Sequence, residues 1–362
     1  MTENTRLINV GVVGYGMSSQ VFHCPLITSC KRMKLHSVVE RHNNRSTETY
    51  PNVNVVRSFD ELIAIKEVEL VVIATANDTH VPYTEKALRA GKHCVVEKPF
   101  TETEHEANEL TRLAKEKGLV LSVFHNRRWD GDFLTVTDIV RSETLGNLVE
   151  FESRFDRFRT YKKPNAWREV SSFPGSGILY DLGSHLFDQA LVLFGEPESI
   201  YAELRNERQI PDGSDDSFLA ILSYPKKNLR VVCRAGMIVK SAPPRFSLFG
   251  TKGAFIKYGL DVQESQLKSG LTPARSSDVF GHDDTNNFGT LDIVVGDQDK
   301  KEVVKTQVGK YSAFYENIAD AIQGLGELEV KPEQAAKVIK LIELATKSNS
   351  QKRVVSYNGE TA

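Results

Sequence analysis

The fold of the first part of this chain is decided by Ile8-Asn9-Val10-Gly11-Val12-Val13-Gly14-Tyr15-Gly16-Met17-Ser18-Ser19. An apolar run leads into Gly14-x-Gly16, and a helical pattern follows. Glycine at these two positions allows a tight turn and lets a pyrophosphate approach bare backbone N–H groups at the start of a helix. Ser19 stands where the pattern has its third glycine, and its small side chain still permits close packing of helix on strand. The motif by itself is also compatible with a glycine-rich turn that binds nothing.

The rest of the first third alternates strand and helix patterns. Continuous apolar runs predict strands at 8–13, 35–39, 53–56, 70–75, 93–96 and 119–123. Helical patterns fill the intervals at 18–29, 59–65, 80–90 and 102–117, and Gly91 and Gly118 close two of them. Because such strands are buried on both faces, we predict an α/β unit with a doubly wound parallel sheet, a Rossmann domain over residues 1–127.

After about residue 128 strands follow one another. They are predicted at 147–157, 197–205, 217–224, 229–236, 245–249 and 253–257, with turns at 224–228 and 250–253. Helices are predicted at 133–143, 180–194, 312–323 and 332–347, and the polar stretch 270–289 predicts a mobile loop. We therefore predict an α+β domain over residues 128–362 with a largely antiparallel open sheet. Its uncovered face and edges favour a homo-oligomer, a dimer or tetramer.

Composition excludes several classes of protein. The chain has 362 residues, 40% hydrophobic and 26% charged, with a net charge of −2, which favours two globular domains and argues against a nucleic-acid partner or a membrane surface. No apolar run approaches the roughly 20 residues of a membrane span. Residues 1–6 carry no secretory apolar region, and four cysteines without C-x-x-C spacing predict buried thiols. We therefore expect a cytoplasmic protein.

A second motif, Glu97-Lys98-Pro99, follows the fifth predicted strand. Ligands of an open α/β sheet bind beyond the carboxyl ends of its strands, so Lys98 is expected on the ligand side. A lysine there can act as a general acid or base when burial or a neighbouring charge lowers its pKa. An ordinary surface turn is the alternative.

Asp181 and His185 form a third element, four residues apart on a predicted helix. A carboxylate in the first helical turn would orient a nearby histidine and stabilise its charged form, as proton transfer requires. A capping aspartate with a packed histidine is the equally weighted alternative. We expect no metal site, since no third ligand stands at a usual spacing.

These elements in this order resemble the Gfo/Idh/MocA oxidoreductase family over nearly the whole chain. The resemblance includes Ala76-Asn77-Asp78-Thr79-His80, His125-Asn126-Arg127-Arg128-Trp129-Asp130, the Asp181…His185 helix and Phe255-Ile256-Lys257-Tyr258-Gly259. The strings around Arg127 and Asp181 are similar to the NADP-dependent scyllo-inositol dehydrogenase branch. The resemblance implies a two-domain enzyme that oxidises a secondary alcohol of a cyclitol or sugar, or reduces the ketone.

The resemblance also implies roles for single residues. Lys98 would hydrogen-bond the reacting oxygen, Asp181 would bind substrate hydroxyls and orient the base, and His185 would take the proton as hydride leaves for the nicotinamide. Tyr258 is a weaker candidate for the substrate pocket. The implied cofactor contacts are Gly14, Gly16, Met17, Ser18, Glu40, Arg41, Arg45, Ala76, Asn77, His80, Glu97, Lys98, Asn126, Arg127, Trp167 and Arg168. Interdomain ion pairs of Arg127 and Arg128, and a core position of Trp167, are the alternatives.

The cofactor itself is open between two dinucleotides. Glu40, at the tip of the second predicted strand, would accept from the adenosine 2′-hydroxyl of NAD and repel a 2′-phosphate. Arg41 and Arg45 could instead bind that phosphate. The resemblance favours NADP, with NAD as the alternative.

Two further functions remain open. One is a dinucleotide-sensing regulatory protein without catalysis, and the other is a reductase of an unsaturated or dicarbonyl compound on the same scaffold. Since no excess of positive charge points to an anionic substrate, we expect a small neutral polyhydroxy compound.

Overall fold

The computed structural model describes residues 6–164 and 166–359 and divides the chain into two compact units. The first unit takes the chain up to Trp129 together with Val262–Gly281 and Lys310–Ala336. The second takes Asp130–Asp261, His282–Gly309 and the chain from Lys337 onward. Residues 1–5, on which the expectation of no secretory segment depends, lie outside the described residues. No helix in the described ranges combines the length and apolarity needed to span a bilayer.

The first unit is built on a six-stranded parallel sheet. Its strands are β1 (Ile8–Val13), β2 (Met33–Val39), β3 (Asn54–Val56), β4 (Leu70–Ile73), β5 (His93–Val96) and β6 (Leu121–Val123). They lie in the order β3-β2-β1-β4-β5-β6, all parallel. The strands are buried because valine, isoleucine and leucine dominate them, as a sheet covered on both faces requires. This confirms the predicted doubly wound sheet.

Helices occur in both units. They are α1 (Cys24–Ser29), α2 (Arg45–Thr49), α3 (Phe59–Ala64), α4 (His80–Arg89), α5 (Glu104–Lys117), α6 (Gly131–Arg141), α7 (Ser184–Phe194), α8 (Gln263–Lys268), α9 (Ser312–Gln323) and α10 (Pro332–Gln351). Gly91 and Gly118 follow α4 and α5 with φ of +76° and +64°, which confirms them as terminating glycines. α2 and α8 were not predicted, because they are too short to show a helical period.

The second unit contains a nine-stranded mixed sheet. Its strands are β7 (Leu148–Arg154), β8 (Ser199–Arg205), β9 (Ser217–Tyr224), β10 (Leu229–Gly236), β11 (Phe246–Gly250), β12 (Gly253–Lys257), β13 (Gly289–Val295), β14 (Gln298–Val304) and β15 (Val355–Ser356). Their order is β14-β13-β12-β11-β7-β10-β9-β8-β15, and only β7 and β10 pair in parallel. This confirms the predicted largely antiparallel sheet and both predicted hairpin turns.

The hairpin of β13 and β14 was not predicted. β14 reads Gln-Asp-Lys-Lys-Glu-Val-Val, and most of its residues are exposed. A strand at the edge of a sheet buries little, so its sequence lacks the apolar alternation that identifies a strand. The stretch 270–289 is irregular up to the start of β13, apart from a short helical turn at Thr285–Asn287.

Two helices that carry predicted site residues begin with π-helical turns, at Ser19–His23 and at Leu179–Gly183. The first is explained by Pro25, which has no N–H for the carbonyl of residue 21, whereas Cys24 donates to the carbonyl of Ser19, five residues back. The regular helix predicted over 180–194 is therefore wrong in its first turn. Asp181 lies in the π-helical turn and His185 in α7.

Candidate active site

The glycine turn after β1 leaves its backbone open. Gly14 has φ +90°, and a Cβ there would lie 3.3 Å from the carbonyl oxygen of Ala74. A Cβ on Gly16 would meet nothing within 4 Å. Ser19 donates its hydroxyl to the carbonyl oxygen of Gly14 at 2.7 Å, so the residue at the third-glycine position closes the turn. The exposed backbone at Gly16, at the start of a helix, fits the pyrophosphate of a dinucleotide.

The end of β5 carries an ionised carboxylate next to Lys98. Oε1 of Glu97 accepts from the hydroxyl of Ser18 and lies 3.0 Å from Nε2 of His23, and Oε2 accepts the backbone N–H of Lys98 at 3.0 Å. Burial raises the pKa of Glu97, but hydrogen bonds from His23 and Ser18 and the charge of Lys98 outweigh it and lower the pKa to about 2. Ser18 thus links the glycine turn directly to the strand end that bears Lys98. Met17, the other predicted contact in the turn, is 59% exposed.

His23 extends this network into the core of the first unit. Its Nδ1 lies 2.7 Å from the hydroxyl of Tyr315 on α9, and both side chains are buried. Burial raises the pKa of Tyr315 well above its ordinary value, so the phenol keeps its proton. With the phenol as donor to Nδ1 of His23, the N–H at Nε2 donates to Glu97. Neither residue was among the predicted site residues; a histidine in the helix directly after the glycine turn was the available signal.

The loop after β4 is held against the loop after β5. His80 is fully buried and its Nδ1 donates to the carbonyl oxygen of Pro99 at 2.9 Å. Burial lowers the pKa of His80, so the ring is neutral. Asn77 is also buried, in the short turn that follows Ala76. His80 therefore supports the segment that follows Lys98.

The tip of β2 has its acid turned inward. The buried carboxylate of Glu40 accepts the backbone N–H of Arg45 at 3.1 Å and of Ser46 at 2.8 Å, at the first turn of α2. Arg45 donates its guanidinium to the carbonyl oxygen of Tyr15 at 3.2 Å. Arg41 is exposed and makes no hydrogen bond or ion pair with any residue that the structure describes. The carboxylate is thus engaged by backbone amides, and the next residue in the chain, Arg41, is exposed.

Arg127 lies in a buried ion pair. It donates to Glu264 on α8 at 2.6 Å, and its side chain is 7% exposed. Burial raises the pKa of Glu264, but the charges of Arg127 and Lys268 lower it to about 2. Both partners belong to the first unit, because Val262–Gly281 folds with it. Arg127 thus forms an ion pair, but within one unit and not between domains as the alternative supposed. Asn126 beside it is buried.

In the second unit, Asp181 lies between two arginines. Its carboxylate oxygens lie 3.7 Å from a guanidinium nitrogen of Arg157 and 3.8 Å from one of Arg168. The Arg168 guanidinium stacks on Trp167 at 4.2 Å, and the two arginine side chains are about two-fifths exposed, 40% and 42%. Arg157 was not among the predicted site residues. Since Trp167 is only half-buried, the core alternative does not describe it.

His185 is 5% exposed, one residue into α7. The π-helical turn before it is held by Asp215, whose carboxylate accepts the backbone N–H of Leu179 at 2.9 Å. Burial raises the pKa of Asp215 to about 6, although that hydrogen bond opposes the shift. Gly177 is needed beside it, because a Cβ there would lie 2.0 Å from a carboxylate oxygen of Asp215.

Tyr258 is 51% exposed, and its carbonyl oxygen accepts from the ammonium of Lys257 at 2.7 Å. Lys257 is completely buried and pairs with Asp283 at 2.9 Å. This pair ties the end of β12 to the irregular segment before β13. The carbonyl of Tyr258 is therefore held by this buried lysine, while its ring is exposed.

Within each unit, then, the predicted residues fall into small groups. Ser18, Glu97 and Lys98 come together in the first unit, and Arg168 and Asp181 in the second. Lys98 belongs to the first unit and His185 to the second, so their approach to one substrate stays a prediction.

Two family models match this chain one after the other. Residues 8–125 match the family model described as the NAD-binding Rossmann fold of an oxidoreductase family. Residues 138–357 match the model of the same family's C-terminal alpha/beta domain. The chain therefore carries the NAD-binding domain of an oxidoreductase.

Relatives span almost the entire chain. The Escherichia coli protein named uncharacterized oxidoreductase YdgJ is 43% identical over 96% of this chain and 97% of its own. The Bacillus subtilis protein named scyllo-inositol 2-dehydrogenase (NADP(+)) IolW is 35% identical over 96% of this chain and 95% of its own. Among solved structures, the oxidoreductase yvaA of Bacillus subtilis superposes with a TM-score of 0.93 at 34% identity, covering 98% of this chain and 99% of that one.

Proposed function

We propose that this chain, which belongs to the Gfo/Idh/MocA oxidoreductase family, is an NADP-dependent dehydrogenase that exchanges hydride with a secondary alcohol or ketone of a cyclitol or sugar. Family membership makes it an oxidoreductase with an NAD-binding Rossmann domain. The substrate class, the choice of NADP and the roles of single residues are our proposal.

The observation that carries the proposal is the contact of Ser18 with Glu97. It joins the turn that fits a dinucleotide to the strand end that bears Lys98. A lysine adjacent to that turn can hydrogen-bond a substrate oxygen next to the cofactor. The nicotinamide, when bound, supplies the hydride acceptor or donor.

The side chains would divide the remaining work. Lys98 hydrogen-bonds the carbinol oxygen and holds it in place. Asp181, between Arg157 and Arg168, accepts hydrogen bonds from substrate hydroxyls and orients the base. His185 takes the hydroxyl proton, because an imidazole exchanges protons near neutral pH.

NADP is favoured by the tip of β2. Both carboxylate oxygens of Glu40 accept hydrogen bonds from the amides of Arg45 and Ser46. The carboxylate is therefore withdrawn from the position in which an acid repels a 2′-phosphate. Arg41 is exposed beside it and can pair with that phosphate. The name of the relative IolW, which includes NADP(+), points the same way.

Self-association and location complete the proposal. The second sheet is open and carries exposed apolar side chains, among them Phe249 and Val303, so we propose a dimer or tetramer that covers part of it. The four cysteines are buried and free, as suits a reducing cytoplasm.

The test is nicotinamide absorbance with NADP and then NAD, against a panel of inositols, aldoses and their ketones. We expect turnover with a neutral polyhydroxy compound and a higher kcat/KM with NADP. Tight dinucleotide binding without turnover on any member of the panel would reject the dehydrogenase and favour a dinucleotide sensor.

A further inference from the structure

The loop between β2 and α2 is held by a residue that lies outside it. Arg57 directly follows β3, and its Nη1 donates to the carbonyl oxygen of Glu40 at 2.9 Å and to that of Asn43 at 2.7 Å. Its Nη2 donates to Oδ1 of Asn44 at 2.7 Å. One guanidinium therefore spans the loop from its first residue to the residue that precedes α2.

Arg57 is itself anchored. Its backbone N–H donates to a carboxylate oxygen of Glu61 at 2.9 Å, and Glu61 lies in the first turn of α3, where Ser58 caps the helix. A guanidinium is planar and presents its donors in a rigid fork. Because its backbone and its guanidinium are both hydrogen-bonded, Arg57 links the start of α3 to the loop.

This link includes Glu40, the acid at the tip of β2 that bears on cofactor choice. Arg57 holds the main chain of Glu40, while the amides of Arg45 and Ser46 hold its carboxylate. With both ends held, Glu40 cannot turn its carboxylate outward without breaking these bonds. Arg41, the next residue, stays exposed and without an ion pair in the described chain.

We propose that Arg57 is a positioning residue for cofactor selection: it keeps the loop in the shape that withdraws Glu40 and presents Arg41 to a 2′-phosphate. This inference rests on the proposed use of NADP. Loss of Arg57 lets the loop relax, so that the carboxylate of Glu40 reaches the ribose edge and the guanidinium of Arg41 no longer has a fixed place. The contribution of the 2′-phosphate to binding then falls, while the rest of the nucleotide binds as before.

The test measures binding of two nucleotides to the full chain by calorimetry. Adenosine 2′,5′-bisphosphate carries the 2′-phosphate and adenosine 5′-monophosphate lacks it, so the ratio of their affinities isolates that group. In Arg57→Ala we expect this ratio to fall about tenfold, the effect of a lost charge-assisted contact, with 5′-monophosphate binding unchanged within about twofold. Arg57→Lys should lose most of the ratio too, because a point charge cannot reach three acceptors at once.

Arg89→Ala is the matched control, since this exposed arginine on α4 of the same unit pairs with Glu85 and, within the described residues, makes no hydrogen bond or ion pair with the loop between β2 and α2. It should leave the ratio unchanged. Equal loss of both nucleotides, or an unchanged ratio in both Arg57 variants, would overturn the inference. Should Arg57→Ala fail to fold, the lysine variant alone decides between these outcomes. A wild-type chain that binds the two nucleotides equally would instead reject the proposed use of NADP.

Discussion

Nε2 of His23 and Oε1 of Glu97 lie 3.0 Å apart behind the end of β5, and their side chains are 0% and 12% exposed. The pair is part of a chain of hydrogen bonds from Tyr315 to the residue before Lys98. An ionised carboxylate with so little access to water persists only when donors compensate it. The charge next to Lys98 is therefore set by residues from the glycine-turn helix and from α9.

Replacing His23 should raise the pKa of Glu97. In His23→Leu, burial still raises the pKa while the main opposing hydrogen bond is gone, so we expect a value above about 2 and near or beyond the ordinary 4.5. Because the folded pKa lies below the unfolded one, ionised Glu97 stabilises the fold above pH 4.5 and loses this effect as pH falls through about 2. The variant should lose stability at neutral pH. Carbon-13 carboxyl titration and thermal unfolding measure the two effects.

Tyr315→Phe is the matched control for that variant, because it removes only the phenol oxygen and keeps the contact of His23 with Glu97. Its effect on the pKa of Glu97 should be smaller. A Glu97 that still titrates near 2 in His23→Leu would show that Ser18 and Lys98 suffice.

Lys98→Ala and His185→Ala should each reduce kcat by about a hundredfold or more, the usual loss when a hydrogen-bond donor at the reacting oxygen or a general base is removed. The fold should survive, since Lys98 is half-buried at a strand end and His185→Ala keeps a helix former in α7. Steady-state kinetics with circular dichroism measures both. Lys86→Ala, at an exposed lysine of α4, is the control. Near-wild-type turnover in both variants would remove these residues from the mechanism.

Gly16→Ala should weaken dinucleotide binding about tenfold or more without affecting stability. The added methyl meets nothing in the protein within 4 Å, but it occupies the space that a pyrophosphate needs. Gly14→Ala is the contrasting variant, because its φ of +90° makes any side chain costly to the fold as well. Fluorescence titration with NADPH and thermal unfolding separate the two. Unchanged binding in Gly16→Ala would place the dinucleotide elsewhere.

Arg41→Ala should raise KM for NADP about tenfold and leave KM for NAD unchanged, because only NADP carries the phosphate that the guanidinium pairs with. Arg112→Ala, at an exposed arginine of α5, should change neither constant. The measurement is KM for each dinucleotide at saturating substrate. Parallel changes in both constants would contradict the assignment of Arg41 to the 2′-phosphate.

The raised pKa of Asp215 should make the protein less stable as the pH rises from acid toward neutral. Its folded pKa of about 6 lies above its ordinary value of 3.8, so the protonated form favours folding, and stability falls as pH rises from 3.8 to about 6. That difference corresponds to roughly 3 kcal/mol of unfolding free energy. Asp215→Asn keeps an acceptor for the N–H of Leu179 and should be more stable than wild type at pH 7. Urea unfolding between about pH 4 and 7 measures it.

Asp212→Asn is the control for Asp215, because Asp212 is exposed nearby and should leave the profile unchanged. If Asp215→Asn retained the wild-type profile over that range, another group would be responsible for it.

Much of the fold was predictable because local patterns agree with the tertiary structure. The Rossmann strands β1, β4 and β5 are continuous apolar runs, which only a sheet buried on both faces accommodates. β14 was missed because an exposed edge strand lacks such a pattern. The π-helical turn at Leu179–Gly183 was missed because five residues are too few to show a period that differs from that of an α-helix.

Some residues of the candidate site could likewise be predicted from the sequence, and others could not. Gly14, Gly16 and Lys98 stand in local motifs whose chemistry depends on neighbours along the chain. Arg57 and Arg157 act through contacts with segments that the sequence does not identify.

The sequence by itself determined the glycine turn and the run of buried parallel strands, since these depend on backbone freedom and on hydrophobic period. It also determined which reactive side chains the chain carries. Only the tertiary structure decided that the carboxylate of Glu40 accepts from the amides of α2, and that Arg127 is paired with Glu264. It also decided that a hydrogen bond from a histidine 74 positions away favours the ionised form of Glu97. The reason is physical. The charge of a group depends on its burial and its partners, and these come from contacts between segments that are distant along the chain.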